Sequence, residues 1–309
     1  MPSWHRGNAG AKTYTFGYDG LSRLTANALF EGGTKTDRFA ERNISYDLNG
    51  NITSATRIAN SAATTIAASY SGNRRSGDSY DLNGNITYDS QSGLTMQWNR
   101  YNLIQKVSAG GSVLVNYSYL ADGTKVSALR SDGSGLAYQG SLTYTCAGGS
   151  PASLEGVTFP GGRFVATTDD AGTTTMTPML YASDHLGSVR SVVNGLTGET
   201  VETNDYYPFG GKWNDGSSSD PTNRYRYNGK EEQTLFSTPY SDYGARQYSS
   251  ASARWLALDP LANKYYGTSP YAFCGNNPVN YLDPDGERQW PVNEKYNGHY
   301  GQVSATFAL

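Results

Sequence analysis

One nine-residue segment occurs twice in the first third of the chain. Residues 45–53 read SYDLNGNIT, and residues 79–87 repeat the same nine residues without a change. A looser copy covers residues 18–25, and degenerate copies begin at Tyr101 and Tyr119. Beyond Gly140 the copies are no longer recognisable. Self-similarity of this kind indicates that one supersecondary unit is repeated along the chain.

Each clear copy carries the signature of a tight turn. The pairs Asn49-Gly50 and Asn83-Gly84 stand between apolar residues, and such pairs supply the positive φ angles that a two-residue β-hairpin turn requires. A lone hairpin is only marginally stable in water, so each one must pair with the next. The sequence therefore predicts consecutive hairpins that join into one long, continuous sheet.

The composition supports an all-β chain with an aromatic core. The 309 residues include 36 Gly, 25 Tyr and 5 Trp, and only 17% are charged. Long helices favour Ala, Leu, Glu and Lys instead. Tyrosine and tryptophan bury large apolar faces while keeping a hydrogen-bonding group at the tip. We therefore expect aromatic rather than aliphatic side chains to fill the core.

Several functional classes are disfavoured by charge and hydropathy. The net charge is only -3, and without a basic cluster we expect no nucleic-acid partner. No apolar stretch approaches the roughly 18 to 20 residues that span a bilayer. The first residues also lack the hydrophobic segment of a secretory signal. Either export does not depend on such a signal, or the chain is the tail of something longer.

We expect no metal and no cofactor. The run Asp47-x-Asn49-x-Asn51 begins like a calcium loop, but Ile52 stands where that loop requires glycine. Cys146 and Cys274 have no metal-ligand spacing; they permit one disulfide without requiring it, and two unpaired thiols are the preferred interpretation. His185 has no legible Ser-His-Asp or Cys-His partner set, so we expect a structural, hydrogen-bonded histidine.

The last third of the chain carries short polar and aromatic motifs in a fixed order. With the tyrosine units, these motifs resemble RHS (YD-repeat) proteins, specifically the end of the repeat array followed by the RHS repeat-associated core. The resemblance covers about residues 14–286. The matching residues are Tyr18, Tyr46 and Tyr80 with the Asp that follows each, and the segments 184–190, 206–210, 243–246, 254–260, 269–273, 276–278 and 283–286.

The resemblance implies hairpin repeats that spiral into a hollow β-shell around a C-terminal polypeptide, with the associated core as a plug. We therefore predict an all-β fold of consecutive hairpins in a spiralling, shell-like sheet with a C-terminal plug. Too few repeats are present to close a shell, so a partial cup is expected. The predicted divisions are a polar segment 1–11, hairpin repeats 12–145, a repeat-associated core region 146–286 and a variable tail 287–309.

The resemblance also implies a self-cutting aspartyl site formed by Arg246, Asp259 and Asp283. Two neighbouring carboxylates share a proton, so that one acts as a base on water and the other as an acid on the carbonyl. A guanidinium can hold one of them ionised and in position. The bond expected to break follows Gly286.

Three features depart from the cutting members of the family. Glu287 stands where Leu or Met is usual, Tyr248-Ser249-Ser250 replaces Tyr-Asp-Pro, and only residues 287–309 remain to be released. Such a tail is too short to fold alone as a toxin domain. The alternative role of the two Asp-Pro pairs is structural: Asp259 would cap a short helix running from Pro260 towards Tyr265, and Asp283 would open a turn.

Four functions stay open. The chain is expected to be the shell and plug portion of a polymorphic toxin or cell-surface protein that holds a C-terminal segment. Alternatively it is a single-turnover autoprotease, a module that binds glycans or a partner surface through exposed aromatics, or a truncated remnant without independent function. The expected partners are the rest of an RHS shell or its enclosed segment, and a carbohydrate or cell-surface partner. The expected location is secreted or on a bacterial cell surface.

Overall fold

A computed structural model describes residues 12–36, 38–213 and 223–292. It also gives the backbone of Ser3–Trp4, Lys295–Tyr296 and His299–Tyr300. Most of the predicted polar segment 1–11 and of the tail 287–309 lies outside these residues. Within them the secondary structure is β-strand with short 3₁₀ helices and no α-helix, as the composition predicted. None of the described helices is long and apolar enough to cross a membrane.

Each strand pairs with a neighbour in the chain, but the units at Tyr18, Tyr46 and Tyr80 lie in three separate sheets, so the prediction of one continuous sheet is wrong for the first repeats. The first sheet contains β1 (Ser3–Trp4), β2 (Lys12–Tyr18), β3 (Leu24–Glu31) and β4 (Thr34–Thr36). The second contains β5 (Ala40–Tyr46), β6 (Ile52–Ala59) and β7 (Ala62–Ala67), and a short pair follows, β8 (Tyr70–Ser71) and β9 (Arg74–Arg75).

The largest sheet has thirteen strands in chain order, all paired antiparallel with their neighbours. They are β10 (Ser79–Tyr80), β11 (Ile86–Asp89), β12 (Leu94–Trp98), β13 (Ile104–Ala109), β14 (Ser112–Tyr119), β15 (Lys125–Leu129), β16 (Ser134–Gln139), β17 (Leu142–Ala147), β18 (Ser153–Phe159), β19 (Gly162–Thr168), β20 (Thr174–Ser183), β21 (Val189–Asn194) and β22 (Thr200–Thr203). The edge strands β10 and β22 do not pair with each other, so this shell-like sheet stays open.

The remaining elements are short. A four-stranded sheet contains β23 (Glu231–Glu232), β24 (Tyr240–Asp242), β25 (Gln247–Ser249) and β26 (Arg254–Trp255); β27 (Tyr281–Leu282) pairs with β28 (Trp290–Pro291), and β29 (Lys295–Tyr296) with β30 (His299–Tyr300). The 3₁₀ helices are Tyr227–Gly229, Gln233–Phe236, Ala262–Lys264 and Phe273–Asn276. The domain boundaries at residues 145 and 286 stay a prediction; β17 crosses the first of them without a break in the sheet.

The repeated segment forms a hairpin, but its turn differs from the prediction. In residues 47–51 the Asp47 N–H bonds to the Asn51 carbonyl and the Gly50 N–H to the Asp47 carbonyl. Only the glycine has a positive φ, +80° for Gly50 and +82° for Gly84, so the expected positive φ at both residues of each Asn-Gly pair is wrong. The Asp47 carboxylate accepts the N–H groups of Asn49 and Asn51, which fixes a three-residue loop with left-handed glycine instead. The Asp47 carboxylate therefore forms these hydrogen bonds within its own turn.

This five-residue turn recurs far beyond the visible repeats. In each copy the first N–H bonds to the fifth carbonyl, the fourth N–H bonds to the first carbonyl, and the fourth residue has a positive φ. The copies begin at Asp19, Asp47, Asp81, Asn99, Leu120, Arg130, Asp169, Asp184, Tyr207 and Arg226. The turn is therefore the structural unit of the chain, whether or not tyrosine and aspartate mark it.

The tyrosine before a turn ties successive hairpins together. Tyr46 donates its hydroxyl to the carbonyl of Leu24, the first residue after the preceding turn. Tyr119 donates to Ile104 and Tyr206 to Val189 at equivalent places, and the Trp98 indole N–H donates to Ile86. Because each bond joins a turn to the one before it, the aromatic residue fixes the spacing of neighbouring hairpins.

The C-terminal segments pack against the turns of the repeats. Asn276 donates to the Gly50 carbonyl, Tyr271 to the Gly84 carbonyl and Arg254 to the Asn51 side chain. One buried cluster is largely aromatic and includes Tyr206, Phe209, Tyr227, Tyr243, Tyr248, Trp255 and Phe273. A second buried cluster is largely aliphatic and includes Ile86, Leu94, Ile104, Val107, Val115 and Leu136, so the expectation of an aromatic rather than aliphatic core holds only for the first. The rings of Tyr248 and Phe273 stack with centroids 4.1 Å apart.

The helix expected after Asp259 is reduced to one 3₁₀ turn, Ala262–Lys264. Leu261 occupies its N-cap position, and no side chain caps it. Asp259 instead accepts the Leu261 N–H and bonds through its own N–H to the Pro270 carbonyl. The prediction of a helix capped by Asp259 is therefore wrong. A single turn gains too few hydrogen bonds to propagate as a helix.

Replacing Tyr46 by Phe is expected to lower the free energy of unfolding by about 1 to 2 kcal/mol, because the buried Leu24 carbonyl loses its donor. Urea denaturation would measure the change. Tyr88→Phe is the control, since Tyr88 is exposed, and should stay within about 0.5 kcal/mol of the parent. Equal effects of the two substitutions would contradict a role of this bond in spacing the hairpins.

Gly210→Ala is expected to destabilise the protein much more than Gly172→Ala. Both glycines are the fourth residue of the five-residue turn, with φ of +88° and +81°. A Cβ at Gly210 lies 2.5 Å from the buried Tyr227 ring, whereas a Cβ at Gly172 meets nothing within 4 Å. The two variants share the backbone cost, so thermal unfolding should show a further loss of about 1 to 3 kcal/mol at Gly210. Similar melting temperatures would show that the C-terminal segment does not constrain this turn.

Candidate active site around Arg246

Arg246 lies in the turn between β24 and β25. The Tyr243 N–H bonds to the Arg246 carbonyl, and Gly244 takes a φ of +95° inside this turn. The Arg246 side chain is buried, and its guanidinium carbon lies 4.2 Å from the centre of the Trp255 ring. Stacking on an aromatic face stabilises a desolvated guanidinium, so the cation is held inside the core.

Asp283 opens a turn directly after β27. Its Oδ1 accepts the Gly286 N–H at 2.8 Å, and the carboxylate is buried. The prediction that Asp283 opens a turn is confirmed by this bond. Asp285 in the same turn accepts the Glu287 N–H with Oδ1 at 3.0 Å. Asp283 and Asp285 therefore bind the N–H groups of Gly286 and Glu287, which flank the Gly286 carbonyl.

The three predicted side chains lie together although they are distant in sequence. Arg246 Nη2 is 3.0 Å from Asp283 Oδ2 and 3.3 Å from Asp259 Oδ2. The Arg246 Nε–H also donates to the carbonyl oxygen of Gly286 at 2.5 Å. One guanidinium thus contacts both carboxylates and the carbonyl of the bond expected to break. The sequence predicted that Arg246 holds one carboxylate, but it did not predict the contact between Arg246 and the Gly286 carbonyl.

Burial controls the electrostatics of the cluster. Desolvation raises the pKa of Asp283 to about 6; Arg246 opposes this rise, while Asp285 and Asp259 add to it. Burial also lowers the pKa of Arg246, whereas the negative charges of Asp283 and Asp259 act to raise it. The Asp259 side chain is more open, with 16% of its surface accessible against 2% for Asp283. The cluster therefore combines a solvent-accessible carboxylate with a buried one that binds a proton near neutral pH.

Sequence reasoning missed Lys230 and Asp285 at this site. Lys230 Nζ donates to the carbonyl of Pro284, and Asp285 holds the amide nitrogen beyond Gly286. No spacing rule connects Lys230 with the Asp-Pro segment, because tertiary packing alone brings them together. Ser249, which stands in place of the expected Asp, is buried in β25 opposite Arg254.

Of the other singled-out residues, His185 bonds outside the Arg246 cluster, whereas the buried Cys274 borders it, since the charges of Asp283 and Arg246 both act on its thiol. His185 shares a hydrogen bond of 3.0 Å between Nε2 and the Val279 carbonyl, which confirms a hydrogen-bonded histidine. Cys146 and Cys274 are unpaired thiols, and burial raises the pKa of Cys274 well above its usual value. Among the described residues no group of three or more His, Cys, Asp or Glu side chains is arranged to hold a metal.

Each of the similar sequences matches about a third of the chain. The salivary gland surface protein 1 of Aedes aegypti is 36% identical over 105 residues, which are 34% of this chain and 3% of that protein. The toxin subunit YenC1 of Yersinia entomophaga is 36% identical over 110 residues, 34% of this chain and 11% of the subunit. The chain thus spans only a small part of these relatives. No model of a protein family matches the sequence.

Similarity in structure covers nearly the whole chain. The Photorhabdus luminescens Tc holotoxin pore superposes on 96% of this chain and 16% of its own, with a TM-score of 0.67 and 18% identity. The TcdB2-TccC3 crystal structure covers 90% of this chain and 16% of its own, with a TM-score of 0.66 and 19% identity. At these identities the structural matches establish the fold alone. The chain therefore has the shell-like β-fold found in Tc toxin complexes, and a third of its sequence is similar to a toxin subunit.

Proposed function

We propose that this chain belongs to the RHS proteins and forms part of the wall and closing plug of a toxin shell that holds a C-terminal segment. The observation that carries this proposal is the thirteen-stranded sheet in chain order, with the C-terminal segments bonded to the turns of the first repeats. The sequence similarity to a toxin subunit supports the same role, and with it a secreted or cell-surface location. The glycan-binding and remnant alternatives stay predictions.

A second proposed function is one self-cleavage after Gly286. Its support is that Arg246 Nε–H donates to the Gly286 carbonyl while Nη2 contacts Asp259 and Asp283. A cation on the carbonyl oxygen stabilises the negative charge that develops there when the carbonyl is attacked. Folding itself brings the reacting groups together, which replaces a bimolecular encounter.

The proposed step uses the two carboxylates in different protonation states. Asp259, the more accessible one, takes a proton from water, and the water oxygen bonds to the Gly286 carbonyl carbon. Asp283, protonated because burial raises its pKa, gives its proton to the carbonyl oxygen. The carbon–nitrogen bond to Glu287 then breaks as the nitrogen takes the proton that Asp259 removed from water, while one hydroxyl of the intermediate returns a proton to Asp283 and the new Gly286 carboxylic acid ionises in water. The products are a Gly286 carboxylate and a free Glu287 amine, and the reaction occurs once per chain.

The purified protein is expected to lose residues 287–309, and Asp283→Asn is expected to keep them, because an amide can neither share nor donate the required proton. Intact mass spectrometry distinguishes the two species directly. Asp169→Asn is the control, since the Asp169 carboxylate also accepts backbone N–H groups of its own turn but lies at the exposed tip between β19 and β20. Cleavage that persists in Asp283→Asn would reject this chemistry.

Cleavage is expected to slow as the pH rises through about 6, because the buried Asp283 has its pKa raised to about 6 and loses its proton there. Above that pH each further unit should reduce the rate about tenfold. Chains produced in denaturant and refolded at stepped pH values, with the fraction cleaved followed by mass, give this profile. A rate that increases across the same interval would mean that Asp283 acts ionised.

The shell proposal is tested separately by asking whether the released segment stays bound. Size-exclusion chromatography under native conditions should carry residues 287–309 together with the rest of the chain, and denaturant should separate them. Immediate separation under native conditions would argue against a role in holding the C-terminal segment. For a chain that does not cleave, protection of this segment from an added protease answers the same question.

A further inference from the structure

Lys230 connects a repeat turn to the segment that carries the candidate cleavage site. It is the fifth residue of the turn 226–230, where its carbonyl accepts the Arg226 N–H. Its Nζ donates to the carbonyl of Pro284, two residues before the bond that follows Gly286. The two residues are 54 positions apart, so this contact exists only in the folded chain.

The surroundings of Lys230 fix where its ammonium group lies. Nζ is 5.3 Å from the centre of the Tyr243 ring, and the Tyr243 hydroxyl donates to Asn228 in the same turn 226–230. Burial lowers the pKa of Lys230, while the charges of Asp242, Asp283 and Asp285 favour its protonated form. The ammonium therefore lies between an aromatic face and acidic groups, with the Pro284 carbonyl as its hydrogen-bond acceptor.

The segment 283–286 is held by two separate turns. Arg246 binds the Gly286 carbonyl and the Ala245 N–H bonds to the Asp285 carbonyl, both from the β24–β25 turn. Lys230 binds the Pro284 carbonyl from the other turn. Three successive carbonyls, those of Pro284, Asp285 and Gly286, thus each have a donor from outside the segment. Such anchoring restricts the peptide to one orientation relative to Asp283.

We propose that Lys230 is a positioning residue, which holds the Pro284 carbonyl so that the Gly286 carbonyl stays on Arg246 beside Asp283. This inference rests on the proposed cleavage after Gly286. Without Lys230 the segment keeps its contacts with the β24–β25 turn but loses the second anchor. Displacing reacting groups by about 1 Å costs up to a hundredfold in rate, so the effect is on cleavage rather than on the fold.

The experiment compares Lys230→Met, Lys230→Arg and Lys264→Met by the rate of self-cleavage on refolding. Methionine keeps the length and removes the donor, whereas arginine restores a donor. Lys264 is an exposed lysine in the 3₁₀ helix Ala262–Lys264 and serves as the control. Lys230→Met is expected to cleave roughly ten- to a hundredfold more slowly, with Lys230→Arg recovering most of the rate and Lys264→Met unchanged. Equal rates in all variants would overturn the proposal.

A second measurement does not depend on cleavage. In an Asp259→Asn background, amide hydrogen exchange of a peptide covering residues 284–288 should be faster with Lys230→Met and unchanged with Lys264→Met. Unchanged exchange overturns the role of Lys230 whether or not the parent cleaves. If the parent never cleaves but exchange is faster with Lys230→Met, the proposed cleavage is rejected and the anchoring role of Lys230 is retained. If exchange rises throughout β10–β22, Lys230→Met has unfolded, and Lys230→Ala, which also lacks a donor, takes its place in both measurements.

Discussion

The five-residue turn with a left-handed fourth residue is the constraint on which the rest of the structure depends. Its two backbone hydrogen bonds close each hairpin, and an Asp or Asn at its start satisfies further N–H groups at several copies. Because the next aromatic residue bonds to the carbonyl just after the previous turn, the hairpins are spaced as well as closed. The register of the sheet is therefore set locally, one turn at a time.

The same turn also builds the surface against which the C-terminal segments pack. Glycines at the fourth position leave room for side chains from distant parts of the chain, as Gly210 does for the Tyr227 ring. Carbonyls of the first repeats accept bonds from Asn276 and Tyr271. The C-terminal segments have few strands of their own, so these bonds and the aromatic cluster hold them in place. The fold consequently brings a poorly repetitive segment to a defined position on a repetitive sheet.

Desolvation gives the candidate site its chemistry. Arg246 and Asp283 are buried together, and burial, with the charges of Asp285 and Asp259 adding to it, raises the pKa of Asp283 to about 6 against the attraction of the guanidinium. The accessible Asp259 completes a pair of unequal carboxylates around one cation. An Asp-Pro pair at the surface would simply form a turn. In this chain the same residues form a turn and an electrostatic site, so the structural and catalytic interpretations of Asp283 are compatible.

The sequence by itself determined the hairpins and the aromatic part of the core, because turn residues act on their immediate neighbours and Tyr46 or Tyr80 stands beside its own turn. It also marked Arg246, Asp259 and Asp283 through their motifs. The turn that begins at Arg130 escaped prediction because no tyrosine precedes it and its only side-chain support comes from Asp132, its third residue. Only the tertiary structure decided that Arg246 reaches the Gly286 carbonyl and that Lys230 reaches Pro284. These contacts join residues 40 and 54 positions apart. Burial strengthens them, and a local sequence pattern contains no information about which groups become buried.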